Sequence, residues 1–455
     1  MVLDKSKFGC YNRRSNRQGG SRHEYKNVDK CGTANVRGDS PRKTMLRANA
    51  MPVNRLNRLL DARESELVEI RRALHRHPEL GGYEENTLTL IREKLREAGI
   101  GFTEVEKGGI LAFLGGGADE KTVLLRADMD ALPICEDKCN LAGEKLVLSQ
   151  TEGVAHLCGH DAHTAMLLTC GSILKSLENE LDGRVILCFE RAEEGGGPGH
   201  AYGVYPILKY LEDNHIRVDR CFALHVNPEL EAGKISAEPG GVMAGNCGFE
   251  VHIKGRAGHG SRPDLANNPL DCFCDLYQAL CKLPMRRLDP YGLFTFSIPL
   301  VKMGSYGNVI ADELYFEGTA RSLDRGSLEI FRDEFLRLLK SLTAAYRCAY
   351  DIDTVYVESP LCNDADCAAR IRQTVETCFG SEHYLPCKAN LGSESFAHYT
   401  ARYPGAMAFL GVKNTALGSG APLHSARFDL DEGALKYGAG VLAGFALDAL
   451  SKTRK

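Results

Sequence analysis

Val185-Ile-Leu-Cys-Phe-Glu-Arg-Ala-Glu-Glu-Gly-Gly-Gly197 runs from an unbroken apolar stretch straight into paired carboxylates and glycines. Val185 to Phe189 shows no alternation, so the strand it predicts is buried on both faces. Val123 to Arg126 and Cys221 to Val226 read the same way, with helical periodicity between them. That rhythm predicts an α/β fold with a mostly parallel sheet covered by helices. In such sheets, sites gather beyond the carboxyl ends of the strands. The pair Glu193-Glu194 follows one strand and His225 closes another, so both fall where a site is expected. Neighbouring side chains on extended backbone diverge, so one glutamate can bind a metal while the other faces water as a base. Alone, the pair is more simply a solvated acidic turn, and His225 a satisfied core histidine.

Between these strands lies Ala155-His-Leu-Cys-Gly-His-Asp-Ala-His-Thr164. A thiol at Cys158 and an imidazole at His160, one glycine apart, suit zinc, cobalt or nickel. Met166, Leu167, Leu168, Ile173, Leu174, Leu177 and Leu181 follow at helical spacing, which predicts donors just ahead of a helix start. His424, in the loop Leu423-His-Ser-Ala-Arg-Phe428, is a fifth donor of compatible softness. Arg126-Ala-Asp128-Met-Asp130 closes its strand with carboxylates that could support the donors from behind. Each feature has an ordinary structural reading when taken singly.

Working outward, Leu56, Leu59, Leu60, Leu67, Ile70 and Leu74 predict one amphipathic helix stopped by Pro78. A second helix is expected over Thr87 to Ala98. Residues 1–50 are polar, basic and aperiodic, and read as a disordered leader or an over-long start ahead of Met45 and Met51. From Cys247 to Val357 the rhythm changes to strand, helix, strand, strand, helix, strand, the ferredoxin-like order. The expected organisation is a catalytic domain over 51–246 and 358–455, with 247–357 inserted.

Composition narrows the function. At 455 residues the chain has room for two cores, and a net charge of -4 gives no footprint for nucleic acid. No stretch approaches the roughly 20 apolar residues of a membrane span. Its 17 cysteines are scattered without scaffold spacing, which points to a reducing cytoplasm.

The chain resembles the M20 metallopeptidases, in the amidohydrolase branch of hippurate hydrolases, N-acyl-amino-acid amidohydrolases and auxin-conjugate hydrolases. The matching motifs begin with His77-Pro-Glu-Leu80, Arg126-Ala-Asp-Met-Asp-Ala-Leu-Pro133, Cys158-Gly-His-Asp-Ala-His163 and Ala192-Glu-Glu-Gly195. They continue with His225-Val-Asn-Pro228, Gly258-His-Gly-Ser-Arg-Pro263, Asn308-Val-Ile310, Gly318-Thr-Ala-Arg321 and Gly392-Ser-Glu394. The resemblance implies that Cys158, His160, Glu194, His225 and His424 hold one or two divalent metals, from zinc, manganese, cobalt and nickel. It implies Glu193 as general base, and the insertion as a lid that also forms a homodimer. His259 matches a lid histidine that approaches the active site, and Asn308 and Arg321 match positions that engage substrate. The implied reaction is hydrolysis of an N-acyl amino acid to a carboxylate and a free amino acid.

The chain departs from the pattern of its relatives in four places. Glu190-Arg191 replaces a frequent Gln-Pro, Ser395 stands where relatives often carry Asp, and both Pro198 to Pro206 and Cys135 to Gln150 are unusual. Rival readings are a metal-free hydrolase with Cys158 as nucleophile beside a histidine, a dipeptidase, and a non-catalytic metal-binding homologue.

Overall fold

The computed structural model describes residues 53–117, 120–195 and 202–451. The leader expected over 1–50 lies outside the described residues, as does part of Pro198 to Pro206. The largest sheet has seven strands in the order Gly101–Val105, Gly109–Gly115, Arg184–Glu190, Thr122–Asp128, Arg220–Glu231, Gly405–Lys413 and Ile235–Ser236. The four strands from Arg184–Glu190 to Gly405–Lys413 are mutually parallel.

All of Thr122–Asp128 is buried, and its side chains alternate between two helical layers. Val123, Leu125 and Ala127 face the helices His160–Lys175 and Leu435–Leu450. Leu124, with Ile186 and Ala223 from its neighbours, faces the helix Val204–Asp213 and Tyr399. Burial on both sides is why these strands read as continuous apolar runs.

The edges depart from the parallel rule. Gly101–Val105 and Gly109–Gly115 form an antiparallel hairpin, and Ile235–Ser236 also pairs antiparallel. A connection of three residues cannot make the crossover a parallel pair needs. Gly109 has φ of 129°, and a Cβ there would sit 2.0 Å from the Phe189 carbonyl oxygen. Gly109→Ala is therefore expected to lower the unfolding free energy by about 1–3 kcal/mol. Denaturant titration checks this, and an unchanged midpoint would show that the hairpin relaxes around the methyl group.

The helix expected over Leu56 to Leu74 is two helices, Val53–Asp61 and Glu64–Arg76. The break at Ala62-Arg63 lets each piece bury its own stripe, the first against Leu435–Leu450 and the second against His160–Lys175. Arg63 sits at the break and donates to the hydroxyls of Ser172 (3.0 Å) and Ser176 (2.9 Å). The second piece ends at Arg76, ahead of Pro78.

Residues 245–358 build a separate four-stranded antiparallel sheet. Its order is Phe294–Met303, Glu313–Ser322, Gly245–Lys254, Ala349–Glu358. Helices Pro269–Lys282 and Arg325–Ala345 cover one face, over a core that includes Phe249, Phe316, Phe331 and Phe335. Asn268 and Asp324 cap the two helices by accepting from the backbone N–H groups of Leu270 and Ser327. The chain leaves and re-enters the larger sheet beside a short ribbon, Gly240–Met243 paired with Leu361–Asn363.

Candidate metal centre

Cys158 lies just ahead of the helix His160–Lys175, and His160 is its first residue rather than a loop residue before it. The helix ends at Lys175, so Leu177 and Leu181 fall beyond it. Gly159 joins the two donors with φ of 92°, and a Cβ there would meet Val226 at 2.4 Å. Only glycine permits that turn to pass so close to the strand that carries His225.

Strand ends bring the other donors to the same place. Cys158 Sγ lies 3.5 Å from His225 Nε2. His160 Nε2 lies 3.9 Å from Glu194 Oε1, which is 3.0 Å from His424 Nε2. Four groups of ligand atoms fall within 4.8 Å of one another among the described residues: Cys158 with His160 and His225, Cys158 with Glu194 and His424, His160 with Glu193 and Glu194, and Asp128 with His160 and His163. Cys158 is common to the first two. Thus all five donors singled out in the sequence converge on one small volume.

Supporting hydrogen bonds decide which ring atoms point inward. His225 donates from Nδ1 to the Val226 carbonyl at 2.8 Å, which leaves Nε2 bare toward Cys158. Burial, reinforced by His163, holds His225 down at about 4, so the ring is neutral as a ligand must be. His160 donates from Nδ1 to Asp130 Oδ1 at 3.1 Å. Its Nε2 is buried and has no hydrogen-bond partner among the described residues. Such an orphaned atom beside a thiol is what a divalent cation would satisfy. Burial pushes the Cys158 thiol well above its usual value, so the thiolate needs a cation to form. The same shift counts against Cys158 as a metal-free nucleophile, which needs a lowered pKa.

His163 also lies in a possible donor group, with Asp128 and His160. Both its nitrogens are spoken for. Nε2 accepts from Val226 N–H at 3.0 Å, and Nδ1 donates to Asp128 at 2.6 Å. His156 is buried apart from the cluster, its ring 6.4 Å from that of His75, and burial keeps it neutral at about 3.

Glu193 and Glu194 lie in a turn past the end of their strand and not on the extended backbone expected, yet they find different partners. Glu194 faces His424, while Glu193 Oε1 accepts from the Ser395 backbone N–H at 2.8 Å. Burial and the charges of Glu394 and Glu194, opposed by Arg126, push the Glu193 carboxyl well above the usual carboxylate range. Burial raises Glu194 too, but His424 and His160 outweigh it and bring that carboxyl below its usual range. Ala192 and His424 have φ of 51° and 62°, rare for residues with a side chain. Such strain gathers at functional sites. Ala192 is pinned by its N–H to Glu84 at 2.7 Å and His424 by its N–H to the Leu157 carbonyl at 2.8 Å.

The lid candidates stand apart. His259 is exposed, its ring hydrogen-bonded to Ser261 at 2.8 Å. It shares a two-stranded ribbon with Val309, and Gly260 N–H donates to the Asn308 carbonyl at 2.8 Å. Among the described residues, no contact joins His259 or Asn308 to the five donors. Arg321 on the strand Glu313–Ser322 hydrogen-bonds Ser393, next to Glu394. Sequence reasoning left Asp128 and Asp130 as general support, marked Glu190 and Ser395 only as departures from the family pattern beside the pocket, and passed over Tyr399. Asp130 in fact ties the site together, through Oδ1 to His160 and through Oδ2 to Glu194 N–H at 3.0 Å.

The pattern described as peptidase family M20/M25/M40 matches residues 124–448. The chain is 33% identical to thermostable carboxypeptidase 1 of Saccharolobus solfataricus, over 83% of this chain and 94% of that protein. It is also 33% identical to N-acetyldiaminopimelate deacetylase of Halalkalibacterium halodurans, over 84% of this chain and 99% of that one. Among solved structures, it resembles the Bacillus subtilis YXEP protein, described as a dinuclear metal-binding peptidase from the M20 family. That match has a TM-score of 0.71 at 27% identity and covers 86% of this chain and 99% of the other.

Proposed function

Because the chain belongs to peptidase family M20/M25/M40, we propose that it is a metal-dependent amidohydrolase that cleaves N-acyl amino acids to a carboxylate and a free amino acid. The observation that carries this reading is a glutamate, Glu193, held by a backbone N–H beside a cluster of metal donors. A pure binding site has no use for that spare base. Cys158, His160, Glu194, His225 and His424 would hold one or two divalent ions, with zinc, manganese, cobalt and nickel as candidates. Such an ion supplies Lewis acidity toward the amide carbonyl and lowers the pKa of water from about 15.7 toward 7. Glu193 takes the proton from the attacking water and returns it to the leaving amine. Its raised carboxyl brings its proton affinity nearer to neutral pH, as that double role requires.

Arg321 is the candidate for the substrate carboxylate, since its planar fork matches that geometry. We read residues 245–358 as a ferredoxin-like lid and dimerisation unit, which spans the insertion expected over 247–357 and one or two residues beyond it at each end. On this reading lid movement carries His259 toward the oxyanion, with Asn308 beside it on the same ribbon. We read the setting as a reducing cytoplasm, since the scattered cysteines among the described residues form no disulfides. No described helix is long and apolar enough to cross a membrane.

The test is a panel of N-acetyl and N-benzoyl amino acids with dipeptides alongside, before and after chelation. Hydrolysis of the acyl amino acids should vanish with chelator and return with added metal. A carboxypeptidase relative makes peptide cleavage the second reading. Turnover confined to the dipeptides would replace the acyl assignment with that one. Glu194→Gln and His424→Ala should each emerge with less metal by elemental analysis, and full metal content in both would remove those ligands.

A further inference from the structure

Glu190 ends the strand Arg184–Glu190 and is wholly buried. Its Oε1 accepts from Arg126 Nη2 at 3.0 Å and from the Ser395 hydroxyl at 2.7 Å. Its Oε2 accepts from the Tyr399 hydroxyl at 2.7 Å and from Arg126 Nε at 3.3 Å. Arg126 is almost fully buried and also meets Asp128 at 2.7 Å and Glu394 at 3.1 Å. It donates in addition to Ser395 Oγ at 2.7 Å. Ser395 is therefore held at both ends: its hydroxyl lies between Arg126 and Glu190, and its backbone N–H is spent on Glu193. Glu190 and Ser395 are also two of the positions where the chain departs from the pattern it resembles, and here they are directly bonded.

We propose that Glu190 and Ser395 are positioning residues for Glu193, and that they work as an interchangeable pair around Arg126. One member carries the charge that balances the guanidinium, and the other must be neutral. The inference rests on Glu193 acting as the base. With glutamine at position 190 alone, Arg126 loses a counter-charge and one of the two oxygens becomes an NH2 that cannot accept, so either the Ser395 side or the Tyr399 side loses its acceptor and the N–H that aims Glu193 drifts. With aspartate at position 395 alone, two carboxylates face each other across a 2.7 Å contact and one must take up a proton. With both changes the carboxylate has only crossed the hydrogen bond, and the new side-chain amide at position 190 donates back to it.

The experiment is a double-mutant cycle on metal-loaded enzyme, reading kcat, KM, metal content and the thermal midpoint. Glu190→Gln and Ser395→Asp should each lower kcat about 10–100-fold, the range for partners that orient a site, with metal content and KM little changed. The double variant should regain the parent midpoint and come within about threefold of parent kcat, a non-additivity expected only of groups in contact. Losses that multiply in the double variant would overturn the pairing. A recovered midpoint without recovered kcat would overturn the positioning role. If a single variant fails to fold, a folded and active double variant is the expected result, and an insoluble one overturns the proposal. Glu193→Gln, measured alongside, judges the base separately: an active enzyme there removes the base even where residues 190 and 395 couple.

Discussion

Glu193→Gln is expected to lower kcat by about 10²–10⁴-fold, the range a positioned general base supplies. Glutamine keeps the shape of the side chain and an oxygen that can accept the Ser395 N–H, so the local geometry survives. What it cannot do is take up a proton. Metal content should stay at the parent level, because Glu194 and the imidazoles hold the ion on this reading. In the parent, kcat/KM should fall on the acid side as Glu193 and its neighbours take up protons together. That limb belongs to the coupled cluster and not to one residue. Turnover near parent level in the variant would take the base away from Glu193. Loss of metal together with activity would instead make it a ligand.

Asp161→Asn should give the largest loss of stability. Asp161 is buried next to His160 and carries the negative charge between Arg71 Nε at 2.8 Å and His75 Nδ1 at 2.8 Å. Burial and Arg71 both lower the His75 ring, but hydrogen bonds to Asp161 and Glu136 outweigh them and raise its pKa. Asparagine would leave the buried Arg71 guanidinium without the Asp161 counter-charge and the His75 ring without its charged partner. Removing one partner of a buried pair costs about 3–5 kcal/mol, and urea unfolding of parent and variant reads it directly. A loss under about 1 kcal/mol would mean that water reaches the cluster.

The same cluster sets a pH window. Burial pushes the Glu136 carboxyl up, yet His75, the Ser149 N–H and Lys145 outweigh it and hold it at about 2, below its ordinary 4.5. Its folded pKa is depressed, so its stabilisation is present above the ordinary value and is lost as pH falls toward about 2. His75 runs the other way. Its raised pKa gives stabilisation that is full below 6.5 and is lost as pH climbs through the folded value. The midpoint gap between parent and Glu136→Gln should therefore close as pH falls from 4.5 toward 2.

Legibility followed local chemistry. Val123 to Arg126 and Val185 to Phe189 read as parallel-sheet strands because burial on both faces keeps each run apolar, with Arg126 at the end of the first as the exception. The hairpin Gly101–Gly115 was missed, since its partner faces are covered by elements distant in the chain. The helix break at Ala62-Arg63 was missed for a similar reason: the stripe of leucines is continuous, and only the two surfaces it meets require a bend. Cys158, His160, Glu194, His225 and His424 were each visible as donors at strand ends or loops.

The sequence by itself determined the layered α/β plan and the inventory of candidate metal donors, because apolar periodicity and ligand chemistry are written into single residues and their near neighbours. Only the tertiary structure decided that His163 is used up by Asp128 and Val226, that Asp130 braces both His160 and Glu194, and that Ser395 connects Glu190 to Glu193. Those roles depend on which hydrogen bonds are already taken, and the partners lie up to 205 residues apart. No local pattern in the chain carries that accounting, which exists only once every buried donor and acceptor has found its neighbour.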